Sequence, residues 1–556
     1  MRNEIVAVIG IIVIVGVSAL APRLKIAAPI ILVLIGVAIS IIPGVQPVVI
    51  PSALILTVVL PPLLYASAIN LPLSDFRKNI VSITGLSVAL VFVSAFGTGL
   101  LLFWLFPELS LASAIALGAV ISPTDAVSAA SIAKRLGLPH RLTAVIEGES
   151  LVNDASALVL LRSAVAATAG VVSVWQVGGE FLYSVVVAAA VGAVVGIVTV
   201  WVRSKLPDPV LTTAVSFAVP FLAYVPAEEI GASGVLAVVA AGLLTGHLGS
   251  KYFTASSRIS ERLTWRTLQF LLENAVFLVM GLQLKGLVDH VVDNHLSVQQ
   301  AVLFGLLATA LLIILRFAFV MPPAALMAWR YRRRLARAGI AAGIPPGGAP
   351  GGSSGRADPD APAGAAGGVV LSWSGMRGVV TLAAAQSLPE DTPYRPQLIL
   401  IAFTVAIVTL VLQGSTLPLV IRWSGIRRAD PAADRTEFAA LVDELQEAGR
   451  GLLENPELVL SDGTTPEKAV VERVQRDALL RSRSAWELAQ TAEEQSETAT
   501  PNQQYRELRL EVLRVERETL LDARERETFS SHVLTQAHEM LDLEESRLAQ
   551  NEGLAG

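Results

Sequence analysis

The sequence predicts an all-α polytopic membrane protein of about 13 transmembrane helices, followed by a soluble helical tail. Of the 556 residues, 53% are hydrophobic and only 16% are charged, whereas soluble proteins average about 25% charged residues. Charged residues are concentrated after residue 428, and before it apolar runs of about 20 residues recur. Such runs have the length that crosses a bilayer core. We therefore expect a transmembrane domain over residues 1–428 and a cytoplasmic helical tail over 429–556.

Thirteen apolar segments can be placed in order along the first domain. The first run is preceded by Glu4 and followed by the first positive cluster, which favours a membrane span, although a cleaved signal peptide is the alternative. The third segment contains Pro51 and the pair Pro61-Pro62, and the ninth is short. The segments are 5–21, 27–43, 49–69, 79–106, 111–133, 142–169, 174–202, 208–226, 231–248, 265–287, 298–328, 368–388 and 396–421.

The positive charges of the loops test this count, because Lys and Arg accumulate in cytoplasmic loops. The loops that follow odd-numbered segments contain 22 Lys and Arg residues, and the loops on the other side contain 3. A wrong count would scramble this alternation at the point of error. The alternation therefore predicts a multi-pass protein of the cell membrane with its N-terminus outside and its C-terminus in the cytoplasm.

Two regions outside the predicted spans differ sharply in composition. Residues 339–368 are rich in Gly, Pro and Ala and are predicted to be a disordered cytoplasmic loop. In the tail, 435–453, 466–495 and 503–550 mix Glu, Arg, Leu and Ala at helical spacing. These stretches predict amphipathic helices that pack on one another, on the membrane domain or on a second copy. The tail either assists assembly or senses a regulator such as pH or a ligand.

Composition also excludes several kinds of chemistry. The chain has no cysteine, which excludes disulfides, thiolate nucleophiles and cysteine-ligated zinc. Its six histidines are not spaced as metal ligands, and no phosphate-binding loop is present. Facing spans show no Ser-His or paired-Asp catalytic spacing. We therefore expect a protein that is not an enzyme, has no cofactor and binds no nucleic acid.

Span five contains a polar interruption at its middle, Ile121-Ser-Pro-Thr-Asp-Ala126. Pro123 lacks a backbone donor and clashes with the preceding turn, so the helix is predicted to break there. The freed carbonyls, together with the carboxylate of Asp125, can replace the water shell of a small cation. The structural alternative is that Asp125 only caps the second half-helix.

Span six begins with a second polar group of residues. Glu149 and Asn153 are four residues apart, as are Ser150 and Asp154, so all four lie on one stripe of a helix. The other faces of this span are Ala, Leu and Val. Charged groups at bilayer depth are costly and indicate functional sites, and these side chains offer the hard oxygen ligands that an alkali ion prefers. Glu147 lies nearer the helix start and is expected to interact with its dipole.

Span twelve supplies a positive charge, because Arg377 lies mid-membrane between Gly375 and Gly378. The two glycines weaken the helix and allow close approach of neighbours. A buried arginine requires a carboxylate partner, for which Glu149 is the predicted candidate, and this leaves Asp154 free to bind ions.

Spans five and twelve occupy corresponding positions if spans 1–6 are repeated as spans 8–13 in inverted orientation. Many secondary transporters consist of such repeats, whose broken helices cross at the bilayer midplane. Arg162, Glu273 and Arg316 also lie within spans and are weaker candidates for a direct role.

The combined pattern resembles the monovalent cation:proton antiporters, specifically the electroneutral sodium/proton exchanger branch. The resemblance rests on Ser122-Pro-Thr-Asp125, Glu147-Gly-Glu-Ser-Leu-Val-Asn-Asp154 and Gly375-Met-Arg-Gly-Val-Val-Thr381, and it covers about residues 1–425. It implies a homodimer in which a core domain bears the ion site and a separate domain forms the dimer contact.

The resemblance also implies a role for each site residue. Asp154 is then the main ligand for the cation or the proton, and Ser150, Asp125 and the backbone carbonyl of Thr124 assist it. Asn153 holds the broken helices. Related electrogenic members have an aspartate where this chain has Asn153, which favours one sodium ion for one proton.

These features predict a secondary transporter that exchanges sodium, or lithium, for protons. The transported ions are Na⁺ and H⁺, and the expected partners are membrane lipid and a second copy. A potassium/proton antiporter of the same fold is one alternative. A cation channel or a membrane receptor that signals through the tail is an alternative from another class, although a channel needs polar residues along the whole length of several spans.

Overall fold

The computed structural model describes eleven stretches of the chain, and their regular structure is helical, with no strand. The chain divides into two compact units, Met1–Ile426 and Arg427–Gly556, which are described separately. Most of the predicted loop 339–368 lies outside the described residues. The described stretches are 2–24, 27–43, 51–169, 174–294, 297–337, 364–426, 431–455, 458–460, 463–491, 501–526 and 531–553.

In its described residues, the first unit contains eighteen α-helices and two π-helical turns. The turns are Ile55–Val59 and Gly85–Ala89, and each continues directly into an α-helix. The helices are α1 Arg2–Leu24, α2 Ala28–Ile41, α3 Ser52–Leu54, α4 Leu60–Asn70, α5 Leu73–Lys78, α6 Ile80–Thr84, α7 Leu90–Leu105, α8 Leu111–Ile121, α9 Ala126–Arg135, α10 His140–Ala169, α11 Val174–Arg203, α12 Pro209–Glu229, α13 Gly234–Tyr252, α14 Ala255–Asp293, α15 Val298–Arg337, α16 Gly364–Trp373, α17 Val379–Gln386 and α18 Arg395–Ser424.

Among the described residues, nine helical segments are long and apolar enough to cross a membrane. Four shorter apolar helices accompany them, namely the later part of α1 together with α2, α8 and α16. Each predicted apolar segment coincides with one helix or with consecutive helical pieces. The first unit is therefore a multi-pass membrane domain, as the composition predicted.

The breaks in the helices follow from local backbone chemistry. α8 ends at Ile121 and α9 begins at Ala126, so the interruption surrounds Pro123. α16 ends at Trp373 and α17 begins at Val379, which brackets the two glycines of span twelve. Proline removes a helical hydrogen bond and glycine weakens a helix, so both interruptions occur where the sequence predicted them.

Close backbone contact joins α2 to α14. A Cβ atom on Gly36 would lie 2.4 Å from the carbonyl oxygen of Leu278, and one on Gly281 would lie 2.3 Å from that of Val33. Only glycine permits this approach, which is typical of helix packing inside membranes. This contact places α14 where it can also pack against α17, the second half of a broken helix.

The described part of the second unit contains four amphipathic helices, α19 Pro431–Leu453, α20 Lys468–Thr491, α21 Pro501–Glu525 and α22 Ser531–Gly553. α19 packs against α20, and Asp443 accepts hydrogen bonds from Ser482 and from the indole Nε1 of Trp486, the latter at 2.6 Å. These hydrogen bonds lower the pKa of Asp443 below its ordinary value.

The third predicted tail stretch, 503–550, corresponds to two helices that fold back on each other. Arg509 of α21 makes two hydrogen bonds of 2.7 Å to the carboxylate of Glu544 in α22. The sequence did not separate α21 from α22, because helical spacing continues from one helix into the next.

Candidate functional site

The two helix breaks meet. The backbone amide of Asp125 donates a hydrogen bond of 2.7 Å to the carbonyl oxygen of Met376, and Nε of Arg377 donates one of 3.2 Å to the carbonyl of Ile121. A Cβ atom on Gly378 would lie 2.7 Å from the Cβ of Asp125. The break between α8 and α9 is therefore hydrogen-bonded to the break between α16 and α17, and the absence of a side chain at Gly378 allows the close contact.

Helix α10 presents its polar stripe to the first break. Asn153 is 1% exposed, and its Nδ2 donates to the carbonyl oxygen of Thr124 at 3.2 Å and to the hydroxyl of Thr124 at 2.9 Å. The Thr124 hydroxyl in turn donates to Oε1 of Glu149 at 3.0 Å. Asn153 therefore holds the break in place, with Thr124 linking it to the next turn of the stripe.

The predicted pairing of Glu149 with Arg377 is wrong. Glu149 instead accepts two hydrogen bonds from Arg316 of α15, at 2.5 and 2.7 Å, and both residues are 2% exposed. A bidentate arginine–carboxylate pair is among the strongest ion pairs in proteins. The sequence marked Arg316 only as a weaker candidate, although a lone arginine within an apolar span was the signal for a buried partner.

Arg377 is instead bound by backbone oxygens that the breaks expose. In addition to its contact with Ile121, its Nη1 donates to the carbonyl of Gly375, and its own amide donates to the hydroxyl of Thr409 at 3.0 Å. Carbonyls freed by two broken helices thus provide acceptors for a guanidinium that is 1% exposed. This use of unpaired carbonyls explains how Arg377 is buried without a bonded carboxylate.

Asp154 lies on α10 beside these contacts and is 6% exposed. Within the described residues its carboxylate has no hydrogen-bond or ion-pair partner, and the charge that acts on it is that of Asp125. Asp125 and Ser150 are half-buried and make contacts of their own. The Oδ1 atom of Asn153 is buried without a partner. Asp154 and Oδ1 of Asn153 are therefore buried acceptors that no described donor satisfies.

The remaining charged residues of the spans have other partners. Arg162, eight residues beyond Asp154, pairs with Glu228 of α12, and half of its side chain is exposed. Glu273 accepts a hydrogen bond of 2.6 Å from Gln269, which also donates to Ser67. Glu147 pairs with Lys134 at 2.6 Å. None of these contacts joins the bonded network around Thr124.

The side chains and backbone oxygens gathered here form a candidate site for an alkali cation. In the described part of the chain no group of three or more His, Cys, Asp or Glu side chains forms a candidate metal site. Two carboxylates, a hydroxyl, an amide oxygen and a freed carbonyl are hard oxygen ligands, suited to an alkali ion. A buried ionised carboxylate without a partner is costly, so either a cation or a proton stabilises it.

Comparison with known proteins places this architecture in a family. The family model described as sodium/hydrogen exchanger, transmembrane, matches residues 9–423. The chain is 29% identical to an uncharacterized Na⁺/H⁺ exchanger of Mycobacterium tuberculosis, over 97% of this chain and 96% of that protein. It is 27% identical to the sodium, potassium, lithium and rubidium/H⁺ antiporter of Bacillus pumilus, over 78% of this chain and 62% of that protein.

A solved structure has the same fold. The sodium proton antiporter MjNhaP1 from Methanocaldococcus jannaschii superposes with a TM-score of 0.55, covering 76% of this chain and 99% of its own, at 16% identity. The family match includes both broken helices and the polar stripe of α10. A buried carboxylate that either a cation or a proton can neutralise is what exchange of one for the other requires. The chain therefore belongs to the sodium/hydrogen exchanger family, as a multi-pass membrane cation/proton antiporter and not an enzyme.

Proposed function

We propose that this antiporter exchanges one sodium ion, or lithium ion, for one proton, and that the two compete for the carboxylate of Asp154. The observation that carries the proposal is the contrast between two buried carboxylates: Glu149 is paired with Arg316, whereas Asp154 has no bonded partner in the described residues. A carboxylate held in an ion pair cannot exchange ligands freely, whereas an unpaired carboxylate is available to bind either a cation or a proton.

Competition at one group couples the two fluxes. Ionised Asp154 binds sodium, and it must release sodium before it takes a proton. Either loaded form is less charged than the empty form, and moving an uncompensated charge through the bilayer interior is costly. Only the loaded forms therefore change sides at a useful rate, by alternating access.

Neighbouring residues divide the remaining work. Asp125, Ser150 and the carbonyl of Thr124 complete the cation shell around Asp154. Glu149 serves as a positioning residue, because its oxygens are occupied by Arg316 and by the Thr124 hydroxyl. Asn153 holds the break through two hydrogen bonds and offers its unpaired Oδ1 to the cation.

The architecture proposed around this site has thirteen spans, with the N-terminus outside and the C-terminus in the cytoplasm. Residues 1–428 form the antiporter domain, and 429–556 form the cytoplasmic tail, which either aids assembly or binds a regulator. Spans 1–6 and 8–13 are inverted repeats, which is consistent with the contact between the breaks of spans five and twelve. The functional unit is a homodimer.

Two observations bear on the ion and the stoichiometry. Asn at position 153 supplies an uncharged amide, so that only Asp154 on this turn changes charge, which favours electroneutral exchange. The Bacillus pumilus relative is named as an antiporter for sodium, potassium, lithium and rubidium. Potassium/proton exchange is therefore the second candidate, differing only in the ion that the same site accepts.

Proteoliposomes containing the purified protein test the proposal. An imposed pH gradient should be dissipated by sodium and lithium in the unaltered protein, at rates that do not change when the membrane potential is clamped to different values. Asp154→Ala should abolish the exchange, and the exposed Arg162→Gln should retain it. Sodium-dependent exchange at the normal rate in Asp154→Ala would refute the proposal.

Potassium in place of sodium separates the two cargo candidates in the same vesicles. Exchange that speeds up or slows down with membrane potential would contradict the one-to-one stoichiometry.

A further inference from the structure

A second polar region lies away from the antiport site, where the ends of three helices enclose a cavity of about 190 Å³. The walls come from the last turn of α4, the last turns of α13 and the first two turns of α14. Its polar lining residues are Asn70, Thr245, Ser250, Arg258, Glu261 and Arg262.

Buried polar atoms at this cavity have no partner. Glu261 is 8% exposed, and its Oε1 accepts no hydrogen bond. Its other oxygen, Oε2, lies 2.7 Å from Nη2 of Arg203, the last residue of α11, whose guanidinium also lies 4.2 Å from the ring centre of Phe253. The Nε and Nη1 atoms of Arg203 are also buried without a hydrogen-bond partner. Buried polar groups are nearly always hydrogen-bonded, so the Arg203–Glu261 pair beside the cavity leaves both donors and an acceptor for a ligand.

The charge at the cavity is positive. Arg203 and Glu261 neutralise each other, which leaves Arg258 and Arg262 as uncompensated cations in the lining. Arg258 is fixed in place by hydrogen bonds from Nη1 to the carbonyl of Phe253, at 2.6 Å, and to that of Ser250. Both arginines lie in the first two turns of α14, where the helix dipole also favours an anion.

We propose that this cavity binds the phosphate ester head group of a phospholipid. Arg258 and Arg262 hold the phosphate, and Oε1 of Glu261 accepts a hydrogen bond from the ammonium or hydroxyl that lies beyond it. Arginine is suited to phosphate because of its fixed fork of donors, and basic pockets between transmembrane helices bind lipid head groups. In the proposed topology, this end of α14 follows a positively charged cytoplasmic loop. The lipid therefore belongs to the cytoplasmic leaflet.

This ligand explains the opposite charges in one cavity. An inorganic anion without a hydrogen-bond donor, such as chloride or sulfate, would leave the free carboxylate oxygen of Glu261 unsatisfied and would be repelled by it. A simple cation would be repelled by the two arginines. Phosphatidylethanolamine and phosphatidylglycerol carry both a phosphate and a hydrogen-bond donor a few bonds away, so both ends of the head group find a partner.

Native mass spectrometry of the full-length protein in detergent tests the proposal. Binding is titrated with phosphatidylethanolamine, phosphatidylglycerol and phosphatidylcholine of identical acyl chains, and with soluble glycerol phosphate. Loss of charge-assisted hydrogen bonds to phosphate should weaken binding at least about tenfold in Arg258→Gln/Arg262→Gln. Arg266→Gln is the matched control, because it removes an exposed charge one turn beyond the cavity and should change the affinity less than about twofold.

Each result decides a part of the proposal. Phosphatidylcholine has no donor on its head group and should bind more weakly than phosphatidylethanolamine to the unaltered protein, a comparison that requires no substitution at Glu261. Equal binding of these two lipids overturns the role of Glu261. Equal loss in Arg266→Gln and in the double variant overturns the site, as does the absence of any bound lipid. Glycerol phosphate binding as tightly as the lipids would assign the cavity to a free phosphate ester. Exchange activity is not part of this measurement, so its outcome is independent of the proposed antiport.

Discussion

Replacement of Arg316 by glutamine tests the charge network that surrounds the ion site. The change leaves the carboxylate of Glu149, 2% exposed, without the two short hydrogen bonds that it now accepts from the guanidinium. Breaking a buried ion pair by removing one partner costs about 3–5 kcal/mol, because an uncompensated charge stays behind. The remaining hydrogen bond from Thr124 offsets about 1.5–3 kcal/mol at most. Arg316→Gln should therefore unfold at a clearly lower temperature.

A double-mutant cycle separates the free energy lost with the Glu149–Arg316 ion pair from the effect of removing the Arg316 side chain itself. Glu149→Gln should also destabilise the protein, because it leaves Arg316 buried and unpaired. The combination Glu149→Gln/Arg316→Gln removes both charges and should melt above at least one of the single variants. Residues in direct contact show coupling energies of about 0.5–3 kcal/mol, and we expect the upper part of that range for a bidentate buried pair.

The cycle is repeated with Arg377 in place of Arg316. Arg377 is bonded to backbone carbonyls and not to Glu149, so the coupling energy between Glu149→Gln and Arg377→Gln should be smaller than that between Glu149→Gln and Arg316→Gln. Melting temperatures are measured by tryptophan fluorescence in detergent. Arg162→Gln serves as the exposed control, since a surface pair contributes about 0–1 kcal/mol. A larger coupling energy between Glu149 and Arg377 than between Glu149 and Arg316 would refute the conclusion that Arg316 is the partner of Glu149.

Three further changes probe other contacts. Gly378→Ala places a Cβ atom 2.7 Å from the Cβ of Asp125 and should abolish exchange in vesicles. Gly16→Ala is the control, because its added Cβ meets no atom within 4 Å, and it should retain exchange. Equal activity of the two variants would contradict the contact between the two helix breaks. Asn153→Asp removes both donations to the first break and adds a charge beside the site, so we expect at least about tenfold slower exchange in vesicles, and an unchanged rate would dismiss its positioning role. The pKa of Asp443 is lowered by two hydrogen bonds, so its stabilisation is present above its ordinary pKa of about 3.9 and is lost as the pH falls through the folded value. Hydrogen exchange of α19 should accordingly be faster in Asp443→Asn at pH 7, with the difference from the unaltered protein vanishing under strongly acidic conditions; a difference that persists there would rule out the linkage.

The sequence predicted the helical membrane fold and the two helix breaks because both depend on local properties. A run of apolar residues needs only its own length to indicate a span. A break at Pro123, or between Gly375 and Gly378, needs only the backbone chemistry of those residues. The same holds for the stripe of α10, since helical periodicity alone places Asp154 one turn from Ser150.

The partner of each buried charge could not be predicted in the same way. Arg162, Arg316 and Arg377 all lie within predicted spans, and sequence spacing does not say which of them faces Glu149. The answer depends on how α15 packs beside α10, which is a tertiary property. The position of Arg377 in the middle of span twelve, between two glycines, favoured the wrong arginine. The carbonyls that bind Arg377 became acceptors only because two helices are broken.

The corrected pairing strengthens the case for Asp154 as the exchanging group. If Arg377 were bonded to Glu149, Arg316 would be a second buried cation in need of a carboxylate, and Asp154 would be the nearest one on the polar stripe of α10. A fixed guanidinium at Asp154 would compete with sodium and protons alike and would prevent exchange. The bidentate contact of Arg316 with Glu149 removes that competitor, and the exposed carbonyls of the breaks occupy Arg377. Both arginines therefore have partners other than Asp154, as our proposal that transported ions neutralise Asp154 requires.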